Sequence, residues 1–244
     1  MISSRSRCSL SSASSFALIA SVSSMPLPDL APLGPESPAG WSRRLARCTQ
    51  SPGRREAPLS DFLPHPFWNF SLELYAGEGV SAACLDLQDR RGCDVNVLLF
   101  CVWLGVSGRP TLTADRLRAI LRETQAWQDG VVVPLRAVRR ALREGHWTGA
   151  LPETVEAARR RVADAELATE HTEQLMLARL HTPPADRDRP AAKRLRAAVG
   201  NLGVYALCLG VVPDARDRAA VATIAAAAFP EFARAEVERV VGPA

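Results

Sequence analysis

The stretch that decides the fold is Asp94-Val95-Asn96-Val97-Leu98-Leu99-Phe100-Cys101-Val102-Trp103-Leu104. After Asp94 and apart from Asn96 it is apolar on every side, so neither a two-residue nor a 3.6-residue period separates a wet face from a dry one. It is too long for an ordinary strand and too short for the roughly 18 apolar residues of a membrane span. A helix without a polar face belongs at the centre of a bundle. Asp94 is placed to cap it, because its carboxylate can accept from the free N–H groups of the first turn.

Helical patterns surround this segment. Phe67, Phe70, Ser71 and Leu74 form one face of a short first helix. Val80, Ala83, Cys84 and Leu87 repeat the i, i+3, i+4, i+7 spacing in a second, with Gly77 and Gly79 in the turn between them. Beyond the central helix, Thr113 opens a stripe of Leu117, Ile120, Leu121 and Thr124 that Asp129-Gly130 is expected to end. Pro134 suits the first turn of the next helix. There Leu135, Val138 and Leu142 are predicted to point inward, and Arg136, Arg139, Arg140 and Arg143 towards water or a partner, up to Gly145.

Pro152 begins a periodic stretch that can run unbroken to Leu180, about 40 Å at 1.5 Å per residue, before Pro183-Pro184. Asp188 and Pro190 start another, with Leu195, Val199, Leu202, Ala206 and Leu209 on its inner face and Gly200 and Gly203 allowing a close neighbour. An alanine-rich helix follows Asp214, and a last one opens at Pro230-Glu231. Val131-Val132-Val133 is too short for a strand and runs into proline. The expected fold is all-α: a single irregular multi-helix bundle with a central apolar helix.

The chain divides into residues 1–60 and 61–244. The first part is rich in Ser, Pro, Arg and Gly and cannot bury enough surface to offset chain entropy, which predicts a disordered tail. Within it, Phe16 to Val22 resembles a weak signal-peptide core whose approach is interrupted by Ser12 to Ser15. A translation start misread as Leu59 is a second expectation for this boundary. The tail holds seven Arg against three acids, which accounts for the whole net charge of +4, and the 61–244 domain is neutral. A neutral body argues against nucleic acid, whose phosphates demand a basic face. The six cysteines include no C-x-x-C pair and no zinc-finger spacing, so no metal or cofactor is expected and a reducing cytoplasm fits them. One lysine against 29 arginines, with abundant alanine, points to a GC-rich bacterial genome.

The densest polar constellation is Gln88-Asp89-Arg90-Arg91-Gly92-Cys93-Asp94-Val95-Asn96. As structure, Gly92 ends one helix, Asp94 caps the next, and Gln88 and Asn96 satisfy bare backbone groups. As function, Asp89, Asp94 and Asn96 are oxygen ligands in search of a cation, or one carboxylate is an acid or base. The D-x-N spacing lacks the rest of a calcium loop. Trp68 and Trp103 are candidates for a pocket wall. Asn69, between Trp68 and Phe70, requires a partner that Asn96 or Gln88 could supply. His171 with Glu166, Glu170 and Glu173 lacks the E-x-x-H spacing of di-iron bundles and reads as a solvated helix face. His146 has no visible nucleophile to serve, and phosphate loops, nucleophile elbows and H-E-x-x-H are absent from the sequence.

The run Phe67-Trp68-Asn69-Phe70-Ser71-Leu72-x-Leu74-Tyr75, then Ala83-Cys84-Leu85-x-Leu87-Gln88-Asp89, then Gly92-x-Asp94-Val95-Asn96-x-Leu98-Leu99-Phe100-Cys101-x-Trp103-Leu104 resembles an uncharacterised proteobacterial domain-of-unknown-function family, number 2390. The resemblance implies a small cytoplasmic helical protein and carries no activity, cofactor or catalytic residue with it. The leading expectation is a non-enzymatic interaction or regulatory domain. It would receive a partner helix or a small ligand in a groove near Trp68, Asn69, Gln88, Asp94 and Asn96. The alternative is an enzyme using Asp89 or Asp94 as acid or base, and homo-oligomer formation through the long helix is a third expectation.

Overall fold

The computed structural model describes residues 62–180, 183–186 and 188–242. The expectations for the 1–60 tail, for Phe16 to Val22 and for a start at Leu59 lie outside the described residues. The architecture is an all-α bundle, with no strand among the described residues.

Helix α1 spans Pro66–Tyr75, α2 Val80–Arg91 and α3 Val95–Val106. Every residue of α3 from Val95 to Gly105 is buried. At roughly 1.5–3 kcal/mol for each large apolar side chain removed from water, this one helix is a principal source of stability. Asp94 Oδ1 accepts from Asn96 N at 2.7 Å, the predicted cap. Helix α7, Ala191–Cys208, runs along α3 as its main neighbour. Their close approach centres on Gly105, where a Cβ would lie 2.4 Å from Ala198 N.

Helix α4 covers Ala114–Trp127 with Thr113 as its cap. Contrary to expectation, Asp129-Gly130 does not end it. The chain continues through a π-helical turn, Gln128–Val132, directly into α5, Val133–Glu144. Pro134 has no N–H to give and its ring crowds the preceding turn. The wide turn relieves that crowding: Val133 N donates five residues back to Gln128 O, and Gly130 has nothing against its missing side chain.

The facing of α5 also differs from prediction. Arg139 is buried and Arg136 nearly so, whereas Val138 is 48 % exposed. The reason lies on α6, Pro152–Arg179, a single 28-residue helix packed against α5. Its Glu166, Glu170, Glu173 and His171, expected in solvent, are all buried. Charge pairing between the two helices outweighs the apolar preference of a three-residue stripe.

On α7 the inner face is Leu195, Ala198, Asn201, Leu202 and Tyr205, and Leu209 is exposed. Gly200 does admit a neighbour, Thr111, but Gly203 faces open space. Helix α8, Ala215–Ala228, follows Asp214 as expected, takes that residue as its cap and packs on α2. Helix α9, Arg234–Val241, begins four residues after Pro230, which sits in the turn before it. No helix among the described residues is long and apolar enough to cross a membrane.

Candidate functional site

A stripe of polar side chains lies where water is excluded. Glu166, Glu170, Glu173 and Gln174 occupy positions i, i+4, i+7 and i+8 of α6, so one helix face presents all four to α3 and α5. Arg139 Nε donates to Glu166 Oε2 at 2.5 Å and Arg139 Nη2 to Glu166 Oε1 at 3.2 Å. Arg136 Nη2 donates to Glu170 Oε1 at 2.7 Å, with Nε 3.4 Å from Glu166 Oε1. Asn96, on the first turn of α3, donates Nδ2 to Glu173 Oε2 at 2.8 Å and accepts Gln174 Nε2 on Oδ1 at 2.9 Å. Asp94 closes the layer. Its Oδ2 accepts from Gln128 Nε2 of the π turn, and its backbone N donates to Tyr205 Oη at 2.8 Å.

Four carboxyl groups here, Asp94, Glu166, Glu170 and Glu173, meet two guanidinium groups. An uncompensated buried charge costs several kcal/mol, so protons are taken up in place of it. Burial, reinforced by the charges of Glu166 and Asp94 and opposed by Arg136, raises Glu170 to about 7. Burial pushes Asp94 and Glu173 up as well, and the charge of Asp94 adds to the rise at Glu173. The layer is therefore a proton-holding network inside the core. Among the described residues no group of His, Cys, Asp and Glu has the arrangement of a metal site.

An aromatic cluster adjoins this layer. The His171 ring meets Trp68 edge-on at 4.8 Å and Phe62 at 4.9 Å, and its Nε2 lies 3.1 Å from Leu63 O. Burial lowers the His171 pKa and favours the neutral ring, which outweighs the opposite pull of the hydrogen bond to Leu63 O. Trp103 lies under the Arg109 guanidinium, 4.4 Å from the ring centre. Arg109 is itself tied to Pro183 O at 2.8 Å.

The opposite side of α3 borders a cleft of about 240 Å³. Its walls are apolar: Leu87, Leu98, Leu202, Val221 and Val241 contribute from five helices. Tyr205 connects the two regions, since its ring lines the cleft while its hydroxyl receives Asp94 N. The charged lining groups are Arg91, Asp217 and Arg218. Arg91 and Asp217 neutralise one another at 2.7 Å, and Arg90 adds a second ion pair to Asp217 at 2.9 Å. Arg218 has no carboxylate partner among the described residues: Nη1 donates to Pro213 O at 2.8 Å and the buried Nε has no acceptor.

Residues 66–177 match a family described as protein of unknown function, DUF2390. No curated protein and no solved structure shows significant similarity to the chain. The DUF2390 segment runs from α1 almost to the end of α6 and so holds the whole buried polar layer except Tyr205. The cleft has only one wall in the DUF2390 segment, made by Leu87, Arg91, Cys93 and Leu98. The rest comes from α7, α8 and α9 and from Leu209, Val211 and Pro213 between α7 and α8.

Of the residues singled out in sequence, Trp68, Asn96 and Trp103 are buried, Gln88 and Asp94 half-buried, and Asn69 and Asp89 exposed. Asn69 thus has no need of an interior partner, and the Asn96 amide is engaged by Glu173 and Gln174 in its place. Asp94 and Asn96 come together in the DUF2390 layer, and Asp89 stands apart on the surface. Sequence reasoning did not find Arg136, Arg139, Gln128, Gln174 or Arg218. For the first two a signal exists: Arg at i and i+3 before a short loop, then Glu at i and i+4 on the following helix, is a complementary hairpin.

Proposed function

We propose that the protein is a non-enzymatic binding module whose small ligand occupies the cleft between α2, α3, α7, α8 and α9. The observation that carries this reading is an apolar recess of about 240 Å³ reaching Tyr205, with exposed Leu207, Leu209 and Val212 in the segment that forms its edge. Drug-sized ligands occupy roughly 300–1,000 Å³, so the occupant is smaller than these. This places the ligand beneath the Gln88–Asn96 junction and away from the surface of Asn69. It favours a small molecule over a partner helix, which would need a longer open groove.

The acid–base alternative is weaker on geometry. Both oxygens of Asp94 are engaged, by Asn96 N and by Gln128, and Tyr205 stands between Asp94 and the cleft. Asp89 is exposed and is not among the residues that line the recess. A cytoplasmic setting is part of the proposal and is supported by the free thiols of the four cysteines among the described residues, Cys84, Cys93, Cys101 and Cys208, the first three of them buried.

The test is calorimetric titration of the full chain with octanol, octanoate and octylamine, on the wild type and on Ala206→Trp, which places an indole into the recess. Binding of at least one compound to the wild type, and its loss in Ala206→Trp, is the expected result. If none binds, or if the filled variant binds equally well, the cleft is not a ligand site.

A further inference from the structure

The charges around the cleft select among small ligands. Asp217 is held by both Arg90 and Arg91, at 2.9 and 2.7 Å, so it offers no free negative charge to a cationic ligand. Asp214 takes the outer side of Arg91 at 2.5 Å. Arg91 is thereby used up. The start of α8 is used up too: Asp214 and Asp217 form a capping box, each accepting from the other's backbone N at 2.8 and 2.9 Å, so that helix end is already compensated.

Arg218 is the exception. It lines the recess one residue beyond Asp217, is half-buried, and is tied only through Nη1 to a neutral carbonyl, Pro213 O. Its Nε is buried and has no acceptor. A guanidinium has five donors in a planar fork that matches a carboxylate, and leaving one of them dry and unpaired costs about 1–3 kcal/mol. The recess therefore has a single uncompensated positive group at the margin of apolar walls made by Leu87, Leu98, Leu202 and Val221.

We propose that the cleft binds a small monoanionic amphiphile of the fatty-carboxylate type, its carboxylate on Arg218 and its hydrocarbon body against Leu87, Leu98 and Leu202. This rests on the reading of the cleft as a ligand site. One free guanidinium balances one negative charge. A phosphate monoester, at about −1.5 to −2 near neutral pH, would bury excess charge against a site with one unpaired cation. A cation would meet Arg218 with no acid left to receive it, and a neutral alcohol would leave the guanidinium charge uncompensated.

The experiment compares octanoate, octanol, octylamine and octyl phosphate on the full-length wild type by titration calorimetry, then octanoate and octanol on Arg218→Gln and Ala206→Trp. Octanoate is expected to bind the wild type at least tenfold more tightly than the other three. Arg218→Gln is expected to weaken octanoate at least tenfold and to leave octanol unchanged, and Ala206→Trp to abolish both. If octanoate and octanol bind equally, or octylamine or octyl phosphate binds best, the ligand class is overturned and the cleft stands as a site. If nothing binds and Ala206→Trp is indistinguishable from the wild type, the cleft itself falls. Should Arg218→Gln fail to fold, the wild-type ranking of the four compounds decides the matter alone.

Discussion

Arg139 of α5 and Glu166 of α6 form a two-bond ion pair inside the protein, the guanidinium 5 % exposed and the carboxylate not at all. Both charges have lost their water, so each depends on the other. Removing one partner by Arg139→Met should destabilise the protein by about 3–5 kcal/mol, because a buried carboxylate is left alone. Replacing both, in Arg139→Met with Glu166→Leu, should recover most of that loss. Urea unfolding of the two variants checks this, and a double variant no more stable than the single one would show that the pair is coupled to the rest of the layer.

Glu170 gives the layer a pH dependence of defined sign. Burial raises its carboxyl to about 7, so between the unfolded value near 4.5 and that point the native state binds the extra proton. The stabilising contribution is present at low pH and is lost as pH rises through 7, a change of about 3 kcal/mol at 1.36 kcal/mol per unit. His171 acts oppositely, since its lowered pKa makes stability fall as pH drops below its ordinary value. The informative quantity is a difference: Glu170→Gln should gain on the wild type as pH is raised from 5 to 8. A constant gap across that range would mean that Glu170 ionises normally in the fold.

What the sequence revealed and what it concealed follow from the range of the interactions. The apolar run of α3, the caps at Asp94 and Thr113, the helix after Asp214 and the stripe of α2 are local patterns, and the structure bears each of them out. Arg136 and Arg139 were misread because an arginine beside an apolar stripe resembles a surface group. Their partners, Glu170 and Glu166, stand 34 and 27 residues away on α6, outside any helical window. The same distance made Glu166 and Glu170 look solvated. Arg218 was invisible for a related reason: the cleft exists only when residues from Leu87 to Val241 come together. Asn96 was legible as a misfit within an apolar helix, although its partners on α6 were not.

Asp94 separates capping from charge. Its Oδ1 caps α3 and its Oδ2 accepts from Gln128, whose own Oε1 is buried without a partner. Asp94→Asn keeps a capping oxygen, and a turned Gln128 amide can then accept from the new NH2 group. The loss should be below about 1 kcal/mol, whereas Asp94→Ala removes the cap and leaves Gln128 unsatisfied at a cost of about 2 kcal/mol or more. Chemical denaturation of both variants measures this, and equal losses would show that charge, and not capping, is what Asp94 supplies.

Two glycines test whether helix spacing or helix propensity governs the α3–α7 contact. Alanine in place of glycine favours a helix by about 1 kcal/mol wherever there is room. Gly203 of α7 has nothing within 4 Å of the Cβ position, so Gly203→Ala should stabilise by up to about that amount. Gly105 of α3 differs: an added Cβ would stand 2.4 Å from Ala198 N and 2.7 Å from Ala198 Cα. These are backbone atoms and cannot swing aside, so the two helices must separate along a buried face. Overpacking of this kind costs about 1–3 kcal/mol or more, which outweighs the propensity gain. Thermal melts should therefore show Gly203→Ala above the wild type and Gly105→Ala below it. A stable Gly105→Ala would mean that α7 can slide along α3, and that the recess lined by Leu202 and Tyr205 is not held at fixed width.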